Sequence, residues 1–184
     1  LVSIMAANNE IGTIEPLEAI GEVCKRHGVV FHTDAVQAVG KVPMKLSDMN
    51  IDFLSLSGHK LHAPKGVGAL YVKRGVRFRP FIVGGHQESG RRAGTENVAS
   101  VVGLGKAAEL ARLHIDDEHT RVRAMRDKLE QTILKTVPSV RVNGDPEHRL
   151  PNTSNISFEY IEGESILMLL DMYHICASSG SACT

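Results

Sequence analysis

The sequence predicts an α/β chain that passes into an α+β one, and three observations carry that reading. As far as residue 90, short apolar runs bounded by turn residues alternate with helical or irregular connections, the pattern of a parallel sheet. Two long stretches with apolar residues at three- and four-residue intervals follow, over residues 97–113 and 117–137. Beyond them short strand-like runs return around one more helix. The change of texture falls between residues 95 and 115, so residues 1–105 are expected to be part of a larger α/β domain. Residues 106–184 are then part of a smaller α+β domain.

Residues 2–7 read as a buried strand and 16–27 as a helix, because Leu17, Ile20, Val23, Cys24 and His27 share one face. Pro16 suits the first turn of that helix and Gly28 its C-terminal cap. The run from residue 29 to 32 is a second strand ending at Asp34, residues 52–57 a third, and 67–72 a fourth in the same parallel pattern. Val122, Met125, Leu129, Ile133 and Val137 mark the apolar stripe of the second long helix. Arg121, Arg123, Arg126 and Lys128, interrupted by Asp127 and Glu130, read as its solvated face. Strands at 140–143 and 155–160, a helix at 165–172 and a short strand near Ile175 complete the chain. Cys24 and Cys176 are expected to be buried.

In 184 residues, 42% hydrophobic and 23% charged content describes a globular chain and excludes disorder and membrane spanning. Lys and Arg number 21 against 21 for Asp and Glu, so no charge surplus points to nucleic acid. Three cysteines without Cys-x-x-Cys spacing form neither a disulfide framework nor a zinc site, which fits a reducing cytoplasm. The chain opens at Leu1 in an apolar run and closes at Thr184 without a final element, so it is expected to be an internal piece of a longer protein.

The stretch LSLSGHKLHAPKGVGALYV places Lys60 between a buried strand and a glycine-rich one. It lacks the first glycine and the following hydroxyl of a phosphate-binding P-loop. Gly103, Gly105 and Ala108 match a dinucleotide fingerprint only by spacing, inside a helix. Asn9 follows the first strand, Asp34 and Gln37 the second, and Ser57, His59 and Lys60 the third. In open α/β sheets, ligands bind outside the carboxyl ends of the strands. Singly, Asp34 serves equally as a turn cap and Asn9 as a turn residue. Together they supply what a pyridoxal phosphate site needs: an amine for the imine, an acid for the ring nitrogen and donors for the phosphate.

The motifs MAANNEIGTIEP, FHTDAVQAVGK, SLSGHKLHAPKGVGALYV, RRAGTENVA and ASSGSACT closely resemble those of the pyridoxal-phosphate cysteine desulfurases of the NifS/IscS group, nearest to the nitrogen-fixation type. The resemblance implies a fold-type I, aminotransferase class V-like enzyme. Such an enzyme takes sulfur from L-cysteine, leaves L-alanine, and passes a persulfide to an iron-sulfur scaffold or other acceptor protein. It implies a homodimer in the cytoplasm. Lys60 becomes the Schiff-base lysine and Asp34 the ring-nitrogen partner. Asn9 and Gln37 bond to the ring hydroxyl, Ser57, Gly58 and His59 belong to the phosphate turn, and Thr95 reaches the neighbouring subunit's phosphate. Cys183 becomes the nucleophile and, through its persulfide, a transient iron-sulfur ligand. Selenocysteine lysis, another fold-type I reaction such as transamination, and a non-catalytic fragment are the alternatives, and Cys183 separates desulfuration from transamination.

Overall fold

A computed structural model describes residues 1–178. Strands β1 (Val2–Met5), β2 (Phe31–Asp34) and β3 (Phe53–Ser57) lie side by side and run parallel, with Met5 opposite Asp34 and Asp34 opposite Ser55. Alternation along the strands turns Val2, Ile4, Phe31, Thr33 and Leu54 to one face and Ser3, His32, Asp34 and Ser55 to the other. The first face is the core side, where Phe31 and Thr33 are fully buried. Helix α1 (Leu17–Arg26) covers it through Leu17, Gly21 and Cys24, while Val23 faces outward, half exposed. Pro16 stands one residue before the helix, and Gly28 ends it at φ +61. There the Val29 N–H donates to the Cys24 carbonyl at 2.9 Å and the Gly28 N–H to Lys25 at 3.1 Å, a Schellman closure.

Strand β4 (Gly68–Val72) pairs with β3, but antiparallel. The sheet is thus mainly parallel, as expected, with β4 as its antiparallel member. Residues 58–67 are too few for a parallel crossover, which takes a dozen or more, so the chain can only double back.

Helix α2 (Val98–Leu113) begins where the Asn97 side chain accepts the Ser100 N–H at 3.2 Å. Position 105 lies inside it. A turn at Ile115–Asp117 and a π-helical turn at Glu118–Val122 lead into α3 (Arg123–Thr136). This helix departs in part from its expected orientation: Val122 and Ile133 are half-buried and Arg121, Arg123 and Lys128 exposed as expected, but Met125 and Leu129 are exposed and Arg126 and Glu130 buried. The physical reason is specific pairing. The Arg126 Nη1 donates to the Leu150 carbonyl at 2.8 Å and Glu130 receives Arg149, so both charges are satisfied in the interior.

Strands β5 (Val140–Val142) and β6 (Ile156–Phe158) form an antiparallel pair, and α4 (Gly163–Met172) follows. No strand forms near Ile175 within the described residues: His174 turns at φ +59 and Ile175 is half exposed. Cys176 is therefore exposed rather than buried, whereas Cys24 is buried as expected. The second half of the chain also closes the core of the first. Leu150, 1% exposed, joins the cluster around Phe31, and its N–H donates to the Gly12 carbonyl at 2.9 Å.

Candidate active site

Parallel pairing brings the carboxyl ends of β1, β2 and β3 to one edge, and the polar residues predicted from the sequence follow those ends. Asp34 closes β2, half-buried, and its Oδ1 accepts the Val36 N–H at 2.9 Å. That bond shapes the turn carrying Gln37, as a turn cap would. Its Oδ2 accepts nothing among the described residues, so the carboxylate keeps one oxygen for another partner. Cap and ligand are therefore compatible roles for the same side chain.

Asn9 lies exposed in the turn after β1. The structural work there falls to Asn8, whose Oδ1 accepts the N–H groups of Glu10 and Ile11 at 2.8 and 2.9 Å. Asn155 ties the same turn to the second half of the chain by donating its Nδ2 to the Glu10 carbonyl at 3.3 Å. The Asn9 amide is left outside this scaffold.

β3 runs directly into a single 3-10 turn, Gly58–Leu61. The Ser57 hydroxyl and His59 Nδ1 stand 2.7 Å apart at its start. Gly58 is there for space: a Cβ would lie 2.8 Å from Val67 Cγ1 and 2.9 Å from the Val67 carbonyl oxygen. Its N–H is already donated to that carbonyl at 2.8 Å. Lys60 follows, half-buried, and His62 reverses the chain at φ +64.

Lys60 lines a cleft of about 500 Å³ between this turn and α2, together with Lys41, His62, Lys106, His114 and Glu118. Burial pushes the Lys41 ammonium below its usual pKa; Glu118 opposes that shift and Lys60 adds to it. Thr95 stands elsewhere, exposed, in a second cleft of about 870 Å³ lined also by Phe81, Ile82, Arg91 and Arg92. Lys60 and Thr95 thus belong to different clefts of one chain. Cys183 lies outside the described residues.

Sequence reasoning passed over three residues of this region. His32 bridges two strands through its ring nitrogens, with Ser3 Oγ at 2.7 Å from Nδ1 and Ser55 Oγ at 3.2 Å from Nε2. Its signal was period-2 alternation, which puts His32 and Asp34 on one face. Asn8 was signalled by the Asx-turn pattern, and Lys41 by an amine inside an otherwise apolar stretch.

The arrangement offers an amine on a rigid turn, a strand-end carboxylate with a free oxygen and a hydroxyl–imidazole pair, a donor set that suits a carbonyl cofactor bearing a phosphate. The chain is 66% identical over 184 residues to a cysteine desulfurase of Gluconacetobacter diazotrophicus, covering 100% of this chain and 46% of the relative. It is 62% identical to the cysteine desulfurase NifS of Azotobacter vinelandii over the same extent. A solved structure of a NifS-like protein superposes with a TM-score of 0.89 at 41% identity, covering 95% of this chain and 48% of that one. The chain thus spans about half the length of the curated relatives it matches. The aminotransferase class-V model matches residues 1–184 from end to end, and the chain belongs to that family.

Proposed function

We propose that the protein carrying this chain is a pyridoxal-phosphate-dependent cysteine desulfurase. The observation that carries the reading is the grouping of Asp34 and the Lys60 turn at the carboxyl ends of adjacent parallel strands. Relatives named cysteine desulfurase at 62% identity and above direct the choice of substrate to L-cysteine.

The residues fit the cofactor. Lys60 would hold it through its amine, and the uncommitted Oδ2 of Asp34 would keep the ring nitrogen protonated. Asn9 and Gln37 would bond to the ring hydroxyl. Ser57 and His59 would take the phosphate, and Gly58, its N–H already spent, would serve by letting the turn pack close to Val67. Once bound, pyridoxal phosphate supplies an electron sink for the carbon that loses a proton. The protein's own thiol does the transfer: the C–S bond of L-cysteine breaks, its sulfur bonds to Cys183 Sγ as a persulfide, and the carbon skeleton leaves as L-alanine.

Thr95 would reach the phosphate of a second subunit in a homodimer. Supporting this, Phe81, Ile82 and Val101, which line the same cleft as Thr95, are exposed apolar residues, a surface that fits a protein partner. The persulfide would pass to an iron-sulfur scaffold or another acceptor, with Cys183 as a transient cluster ligand. We place the protein in the cytoplasm on its cysteine usage, three cysteines without Cys-x-x-Cys spacing.

The test is product analysis. The complete protein, supplied with pyridoxal phosphate and L-cysteine, should release alanine and protein-bound sulfur in equal amounts. Absence of alanine sinks the reading; a strong preference for L-selenocysteine turns it into selenocysteine lysis.

A further inference from the structure

Three adjacent strands, already paired through their backbones, are also linked on one face by side chains. Ser3 of β1 contacts Nδ1 of His32 at 2.7 Å, and Nε2 of the same ring contacts Ser55 of β3 at 3.2 Å. His32 is half-buried and sits two residues before Asp34, so their side chains share this face. Ser55 is the residue directly opposite Asp34 in the β2–β3 ladder. Position by position, β1 brings Ser3 and Met5 to this face, β3 brings Phe53, Ser55 and Ser57, and β4 brings Gly68, Leu70 and Val72. No other titratable side chain on these strands faces His32 and Asp34.

Each serine hydroxyl can donate or accept, so both bonds form in whichever tautomer the ring adopts. Together they brace β2 against both neighbouring strands just before Asp34, whose Oδ1 is held by the Val36 N–H.

We propose that His32 is a positioning residue for the cofactor site: braced between Ser3 and Ser55, it fixes the end of β2 against its two neighbours and so holds the Asp34 carboxylate in place for the ring nitrogen. The inference rests on the proposed function and assigns His32 and Ser55 a part in it.

The experiment uses the complete protein stripped of cofactor and titrated with pyridoxal phosphate, binding being followed by the visible absorption of the bound form. His32→Phe keeps the bulk of the ring and removes both bonds, and should weaken cofactor binding about tenfold, the lower end of what outer hydrogen-bonding partners contribute at metal centres. His32→Gln, which retains a donor and an acceptor, should recover most of it, and Ser55→Ala should resemble His32→Phe. If His32 acts through Asp34, the loss should nearly vanish in an Asp34→Asn background, to less than about twofold, because coupled residues are not additive. A full tenfold loss in that background, or unchanged binding in both His32→Phe and Ser55→Ala, overturns the inference while the proposed function stands. Failure of the unmodified protein to take up the cofactor overturns both.

Discussion

Arg149 and Glu130 meet in a two-pronged ion pair, Nη1 to Oε2 and Nη2 to Oε1, both at 2.7 Å, with the arginine side chain only 4% exposed. Ser154 adds a hydroxyl donor to the same carboxylate at 2.8 Å. The pair fastens α3 to the segment that closes the first core. Thr13 bridges to Arg149 and Gly12 accepts the Leu150 N–H, so the turn presenting Asn9 leans on it.

Stability should therefore fall at low pH in a defined way. The Arg149 hydrogen bonds hold the Glu130 carboxyl below its usual pKa; burial opposes them, and the Ser154 hydroxyl adds to them. A depressed carboxylate stabilises the fold above its unfolded pKa, about 4.3, and that contribution is lost as pH falls through the lower folded value. Arg149 stays charged throughout. Urea denaturation of the complete protein from pH 6 to pH 3 should show this loss. Arg149→Met should cost about 3 kcal/mol at pH 7 by stranding a buried carboxylate, and Arg149→Met with Glu130→Met should recover part of it. An Arg149→Met protein as stable as the parent would show that the pair contributes nothing.

Gly58 is held by contact rather than by backbone conformation. A methyl group at this position meets the Val67 carbonyl at 2.9 Å, and that carbonyl is fixed by the Gly58 N–H itself. Gly58→Ala should shift the 3-10 turn and cost about 1–3 kcal/mol, the usual range for overpacking. Because Lys60 rides on this turn, cofactor affinity should drop as well. Equilibrium dialysis showing normal affinity would mean the turn absorbs the methyl without moving Lys60.

The strands and helices were readable where periodicity and turn chemistry agreed, as in the Schellman end of α1 at Gly28 and the strand ends at Asp34 and Ser57. The positions of Asp34 and the Lys60 turn at one sheet edge followed from those ends. Orientation was harder. β4 looks like any buried strand, and only the shortness of its connection reveals that it is antiparallel. On α3, Met125 and Leu129 suggested burial where Arg126 and Glu130 are buried instead, because the pairing of Glu130 with Arg149 joins residues far apart in sequence. His32 was invisible for the same reason: its partners, Ser3 and Ser55, become neighbours only in the folded sheet.

Two amines, Lys41 and Lys60, line the same cleft, and the lowered pKa of Lys41 makes it a competing nucleophile on chemical grounds. The function proposed above assigns the role to Lys60, whose turn follows the end of β3, the strand paired with that of Asp34. Borohydride reduction of the complete, cofactor-loaded protein should fix the label on the peptide containing Lys60, and Lys60→Ala should abolish visible absorption and turnover. Label on the Lys41 peptide, read by mass spectrometry, would reverse the assignment.

Cys183 offers the sharpest test of sulfur transfer. Residues 177–182 are all small, with one glycine, so they provide little bulk to anchor the thiol and suit a relay that reaches the substrate and then an acceptor. A free thiol has a pKa of about 8.5, and its thiolate is the nucleophile. Cys24 is buried and Cys176 exposed, so a background lacking Cys176 leaves Cys183 as the expected target of a thiol reagent. In the complete protein, Cys183→Ala should keep its cofactor and its spectral response to L-cysteine. Alanine production should fall by more than about 100-fold, still far short of the roughly millionfold loss when a protease nucleophile is removed. Cys24→Ala and Cys176→Ala should remain active. Sulfur release at the normal rate from Cys183→Ala, with an acceptor present, would rule out transfer through this residue and favour a transaminase-like reaction at Lys60.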